Sequence, residues 1–126
     1  MLEQMLFDIL KIDGVTSAIL IDCNGSIINR FSNENIDADN LGIIAYKNIC
    51  ASMELGHELN RGGCEHMLVE HEKGSIILSP VGQNEVLAVI GLRNVNINRV
   101  MLEIKKTKNQ IMNNLIKNES DEQVYT

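Results

Sequence analysis

The chain has 126 residues, 44% of them hydrophobic and 22% charged, with a formal net charge of −6 at pH 7. That is long enough for one core without disulfide or metal staples, and the acidic balance lacks the basic footprint of a nucleic-acid binder. Aromatics are 3% with no Trp, so Ile, Leu, Val and Met must fill the interior.

Met1-Leu2-Glu3-Gln4-Met5 has neither a basic region nor a long apolar region of the kind a secretory leader needs. The longest apolar stretch, Val86 to Leu92, is far too short to span a bilayer. Three cysteines without framework spacing point to free thiols and a reducing compartment. The expected location is the cytoplasm, without direct membrane insertion.

Leu2, Met5, Leu6, Ile9 and Leu10 recur at helical spacing, which predicts a short amphipathic helix ended by Asp13-Gly14. Val15 to Ile21 is an apolar run and reads as a buried strand. Asn24-Gly25 after Asp22-Cys23 predicts a type I′ hairpin turn, and Ser26 to Phe31 is the returning strand. A polar loop leads to a long helix, roughly Asp37 to Leu59, capped by Asp37 or Asn35 and ended by Gly62-Gly63. Cys64 to Glu70 and Ser75 to Pro80 form a second hairpin around Lys73-Gly74. Glu85 to Gly91 is the fifth strand. Asn94 or Asn96 caps a last helix running to about Asn118, striped by Ile97, Val100, Met101, Ile104, Ile111, Met112 and Leu115. The expectation is a single α+β domain (an α/β sandwich) over residues 1–118, in the order α-β-β-α-β-β-β-α with a five-stranded antiparallel sheet. Residues 119–126 read as a disordered polar tail.

The long helix carries more apolar surface than one sheet face covers. Lys47, Glu54 and Glu58 share a narrow polar arc. Leu41, Ile44, Leu55 and Leu59 form one apolar face, and Ala45, Ile49, Ser52, Met53 and Gly56 form a second, smaller-residue face beside it. An ordinary surface helix buries a stripe a little over ~100° wide. Either both faces bury within one monomer, or one meets a second copy in an isologous contact. The small residues favour the second copy, because they let a neighbouring backbone come close.

Catalytic and metal chemistry find little support. Cys64 and His66 alternate onto one strand face, yet no Cys-x-x-Cys and no helical His pair accompanies them. Cys23 has no local cation to lower its pKa. Gly62-Gly63 follows a helix and precedes a strand, the reverse of a phosphate loop. Arg61 and Arg30 are candidate arginine fingers, but Arg61 also suits a helix C-terminus. Lys105, Lys106 and Lys108 read as a solvated face. No enzyme activity, metal or cofactor is expected.

Several marks recur together and in order: Ile12-Asp13-Gly14-Val15, Ala18-Ile19-Leu20-Ile21-Asp22 with Gly25, Met67-Leu68-Val69-Glu70 with Gly74, Ile76-Ile77-Leu78-Ser79-Pro80-Val81-Gly82, and a closing helix after Asn96. With the element order they make the chain resemble the roadblock family, named for dynein light chains, over about residues 2–118. One departure is Asn96-Ile97-Asn98, where family members often have Asn-Leu-Gly. The resemblance implies a dimer, with itself or a paralogous roadblock chain. The long helices would lie side by side, and the middle strand, here Cys64 to Glu70, would pair across the two-fold. It also implies docking of a small Ras-like GTPase on the helical face.

The resulting expectation is a noncatalytic dimeric adaptor that regulates such a GTPase. The alternative is a structural light chain or scaffold subunit without GTPase contact. A small-ligand sensor is disfavoured by the few aromatics. The dimer interface is expected at Ala45, Ile49, Ser52, Met53, Gly56, Cys64, His66 and Leu68. The partner surface is expected at Ile43, Lys47, Cys50, Glu54 and His57.

Overall fold

A computed structural model describes the backbone of residues 2–124 and the side-chain environments of residues 3–37 and 40–110. The elements are α1 (Leu2–Leu10), β1 (Val15–Ile21), β2 (Ile27–Ser32), α2 (Ala38–Glu58), β3 (Met67–His71), β4 (Gly74–Val81), β5 (Glu85–Gly91) and α3 (Ile97–Val124). This is the expected order. The strands form one antiparallel five-stranded sheet, β2-β1-β5-β4-β3. The last helix runs on to Val124, so the stretch from 119 to 124 is helical where a disordered tail was expected. Tyr125 and Thr126 lie outside the described residues.

The sheet is covered on both faces, which is why β1 and β5 are buried along nearly their whole length, mostly apolar, and do not alternate. On one face, Ala18, Leu20, Leu87 and Val89 pack with Leu6 and Ile9 of α1 and with Val100 and Ile104 of α3. On the other, Ile19, Ile21, Val86, Ala88 and Leu78 pack under Ala45 and Ile49 of α2. The first face receives two helices and the second only one.

The first hairpin turn is not type I′. Asn24 does not adopt positive φ; Gly25 alone does, at 79°. The Gly25 N–H donates to the Asp22 carbonyl at 3.0 Å, and the Asp22 carboxylate accepts the N–H groups of Asn24 and Ser26. An aspartate that satisfies its own turn supports an ordinary turn followed by a left-handed glycine, and this competes with the mirror-image turn.

The long helix stops before Gly62-Gly63. Asn60 takes φ 56°. Its N–H donates to the His57 carbonyl, and the Arg61 N–H reaches back to the Gly56 carbonyl at 2.8 Å. That pair of bonds is a Schellman cap with Asn in the left-handed position. Asn96 caps α3 as expected, its side chain accepting the Arg99 N–H at 3.1 Å.

The third strand begins later than expected, at Met67, and ends at His71. The Glu65 carbonyl accepts from the Lys108 amine at 2.7 Å and from the Ser79 hydroxyl at 3.3 Å, so side chains take the place of a ladder there. Pro80 pairs with Val86 on its inner side. The outer ladder reaches only the Met67–Leu78 pair, so the missing proline N–H costs no bond.

Candidate interaction surface

The geometry of α2 decides which of its faces is free. A Cβ at Gly42 would collide with the Gly25 carbonyl, and one at Gly56 with the Gly62 carbonyl. The helix therefore lies close against its own hairpin loop and its own return loop, and only small residues fit beneath it. Ala45 (3% exposed) and Ile49 (2%) sit in the core, and Ser52 and Gly56 are half-buried beside them. The large side chains point out: Ile44 is 56% exposed, Leu55 61% and Leu59 58%.

This corrects the interface expected from sequence. The small-residue face is the monomer's own sheet contact. Ala45 and Ile49 are buried within one chain and are removed from the dimer interface; Ser52 and Gly56 belong to the same inward side. Met53 is exposed but borders a shallow depression with His57, Asn60, Gly62 and Gly63. Cys64 and His66 lie ahead of β3 and do not share a strand face. Cys64 packs on the α2-side core, while His66 borders a cleft of about 720 Å³ along α3 with Met101, Leu102 and Lys105. Leu68 remains exposed on β3.

The free apolar surface is a stripe. Ile44, Asn48, Ala51 and Leu55 are exposed and alternate spacings of four and three along α2; Leu41 begins the repeat half-buried against the core, and Leu59 lies one turn further. That is the spacing of a helix–helix seam. The flank it occupies follows from the opposite side of the helix. Gly25 lies against Ile43. The Tyr46 phenol is pushed above its ordinary pKa by desolvation and by the nearby Cys50, Cys23 and Glu85. The Ile43–Tyr46–Cys50 side therefore overlooks the β1–β2 hairpin, and the stripe looks the other way, towards β3.

The edge there is open. β3 pairs with β4 alone, and Leu68 and Val69 are both exposed. The opposite edge, β2, also exposes an apolar residue, Ile28, but places a charge in mid-strand: Arg30 is exposed, and its N–H donates to the Asn29 side chain at 2.8 Å. Charge and local capping are the usual defences of an edge strand. β3 has its charges at the end, in Glu70 and His71, and apolar residues in the middle.

Ile43, Lys47, Cys50, Glu54 and His57 are all exposed. Lys47 and Glu54 lie on the outer surface of α2 next to the stripe, and Ile43, Cys50 and His57 lie further round, on the hairpin side. Arg61 is exposed just past the helix end. Lys105 and Lys106 are exposed, but Lys108 is half-buried, bonded to the Glu65 carbonyl, with burial lowering its pKa. The three lysines do not form one solvated cluster. Among the described residues no three His, Cys, Asp or Glu side chains converge as a metal site, and no helix is long and apolar enough to cross a membrane.

Sequence spacing carried the signal for the stripe: the seam repeat through Leu41, Ile44, Asn48, Ala51 and Leu55. What it lacked was the position of Gly25 over Gly42, which turns that face outward.

Known proteins agree with this architecture. The chain resembles MglB of Myxococcus xanthus, with a TM-score of 0.84 and 23% identity over 92% of this chain and 95% of that one. It resembles a Roadblock/LC7 domain from Streptomyces avermitilis, with a TM-score of 0.81 and 18% identity over 90% and 96%. It is 23% identical to the uncharacterized protein MJ0714 of Methanocaldococcus jannaschii over 111 residues, 88% of this chain and 93% of that protein. The Roadblock/LC7 domain model matches residues 1–91. A family match over most of the chain, joined to the same order of helices and strands, means that this protein belongs to the Roadblock/LC7 domain family.

Proposed function

We propose that the chain is a noncatalytic dimeric adaptor that binds and regulates a small Ras-like GTPase in the cytoplasm. The observation that carries the reading is the exposed seam on α2 beside the open edge of β3. An apolar helical stripe and an unpaired strand edge on the same side are both covered when two copies meet about a two-fold. The GTPase part rests on the roadblock resemblance and on the outer face of α2, which two copies would present side by side as a continuous platform. Ile43 and Cys50 supply apolar contact there, and Lys47, Glu54 and His57 supply polar contact. Regulation is differential binding: the platform holds one switch conformation better than the other and shifts that population.

The test mixes the purified protein with a Ras-like GTPase from the same genome, loaded with GDP or a GTP analogue, and reads complex mass by light scattering. Two copies binding one nucleotide form preferentially support the proposal. Equal binding to both forms leaves a scaffold, because a ligand with equal affinity for two states shifts nothing. A dimer that ignores the GTPase in both forms favours a light-chain role without GTPase contact. A monomer ends the argument from the stripe. Replacing Ile43 and His57 with Asp should abolish GTPase binding while the dimer mass is retained.

A further inference from the structure

The geometry points to a second docking site, on the side of the sheet away from α2: the cleft between α3 and the residues leading into β3 receives an acidic amphipathic helix of a partner protein. Neither the dimer nor the GTPase proposed above is needed for it.

The cleft holds about 720 Å³, and its apolar lining is Met101, Leu102 and Ile104 of α3. Ile104 is buried and belongs to the core shared with α1, so the cleft opens on that face of the sheet. Leu68 is exposed on the same face. In the β3–β4 register it lies opposite Ile77, which is in that core, whereas Val69 lies opposite Ile76 on the α2 side. Leu102, at 68%, is the most exposed large apolar side chain among the described residues. A lone exposed leucine is ordinary. One that walls a cleft, with Met101 half-buried beside it and Leu68 exposed on the same face, leaves apolar surface for a partner to cover.

Charge separates this flank of α3 from the other. On the α1 flank, Lys11, Arg99 and Lys106 share a depression with Asp8, Asp13 and Glu103, and the charges balance. On the cleft flank, Lys105 and Lys108 have Glu65 as the one acidic side chain among the lining residues, with His66 beside them. In a chain of net charge −6 this is a locally basic site. The Lys108 amine is half-buried and donates to the Glu65 carbonyl, and burial disfavours its charge. A carboxylate brought to a poorly hydrated amine gains more than one brought to a fully hydrated lysine.

Shape selects a helix. The lining runs from Asn98 to Lys108, about 15 Å of α3. Apolar side chains at i, i+4 and i+7 of a docked helix span about 10 Å, and carboxylates on its flank reach Lys105 and Lys108. A strand would add at the β3 edge, whose free backbone groups point along the sheet and not into the cleft. A flat anionic membrane would meet Leu102 and Lys105 but not the buried Ile104 at the floor.

The experiment titrates the full chain into a fluorescent, stapled three-turn helix with Leu at i, i+4 and i+7 and Glu on both flanks, at low salt, and reads anisotropy. Saturable binding is expected, and none for the same helix carrying Lys in place of Glu. Leu102→Asp should weaken binding by about tenfold or more, and Lys105→Glu by about 5- to 10-fold. Lys106→Glu, on the balanced flank, should change it by less than about twofold. All three positions are exposed, and circular dichroism verifies the fold of each variant. Amide NMR shifts on binding should centre on His66, Leu68, Leu102 and Lys105. GTPase binding through α2 should survive Leu102→Asp, so the two proposals fail separately. No saturable binding by the wild type would overturn the inference, as would an equal loss for Lys106→Glu or shifts centred on α2. Vesicles of equal parts phosphatidylcholine and phosphatidylserine form the other arm. Co-sedimentation that Leu102→Asp abolishes, without binding of the helix, would assign the face to a membrane and overturn the peptide partner.

Discussion

Ile49→Ala and Leu55→Ala differ by under two turns of one helix, yet they should report on different processes. Ile49 is 2% exposed and packs with Ile19, Ile21, Leu78, Val86 and Ala88. Truncating it removes a buried side chain and leaves a cavity between α2 and the sheet, at a cost of about 2–5 kcal/mol. For a domain of this size that lowers the melting temperature by roughly 8–19 °C, at every protein concentration. Leu55 is 61% exposed in one chain. Within a monomer its truncation should cost under about 0.5 kcal/mol. Within the dimer it becomes covered, and a fully buried Leu is worth about 1.5–3 kcal/mol. Scaled by its exposure and counted in both copies, the loss is about 2–4 kcal/mol, a roughly 30-fold to several-hundred-fold weaker dimer. The assay is thermal unfolding at several protein concentrations, with light scattering alongside. Ile49→Ala should shift the transition at every concentration, and Leu55→Ala should shift it only where the wild type is dimeric. The reverse result, a concentration-independent loss for Leu55→Ala and an unperturbed fold for Ile49→Ala, would mean that the faces of α2 are assigned the wrong way round.

Gly42→Ala should destabilise the fold by about 1–3 kcal/mol in denaturant titration, because the new methyl meets the Gly25 carbonyl and the helix must lift from its hairpin. Asn60→Gly should be neutral or slightly stabilising, and Asn60→Ala should cost about 1 kcal/mol, since position 60 holds φ 56°. With Tyr125→Phe, Tyr46 becomes the single phenol, and its absorbance titration should have a midpoint above 10.0. The sign for stability follows: the unfolded phenol loses its proton first, so the unfolded state binds fewer protons and stability falls as pH rises above about 10. Replacing Cys23 and Cys50 with Ser should lower the midpoint part of the way towards the ordinary value; an unchanged midpoint would leave burial and Glu85 as the causes. Lys108→Met should speed hydrogen exchange at residues 64–67, because it removes the amine that holds the Glu65 carbonyl.

Periodicity and turn chemistry determine which segments of this chain become helices and strands, because those are local preferences. The apolar runs at Val15–Ile21 and Glu85–Gly91, the helical stripe from Ile97 and the Asn96 cap all stand where spacing and residue type put them. The surplus apolar surface of α2 is legible in the same way. Which of its two faces is surplus is not a local property. That choice is made by the Gly25 carbonyl seated over Gly42 and by the return loop under Gly56, contacts between residues far apart or turned back in the chain. Size alone argued for small residues at a partner; the tertiary structure uses them to bring the helix down on its own sheet and leaves Ile44, Leu55 and Leu59 outside. The start of β3 is decided by tertiary contact as well, since Lys108 and Ser79 take the Glu65 carbonyl out of the ladder. The strand order is the last such decision: it leaves β3 at an edge, and an edge exists only once the other strands have found their neighbours.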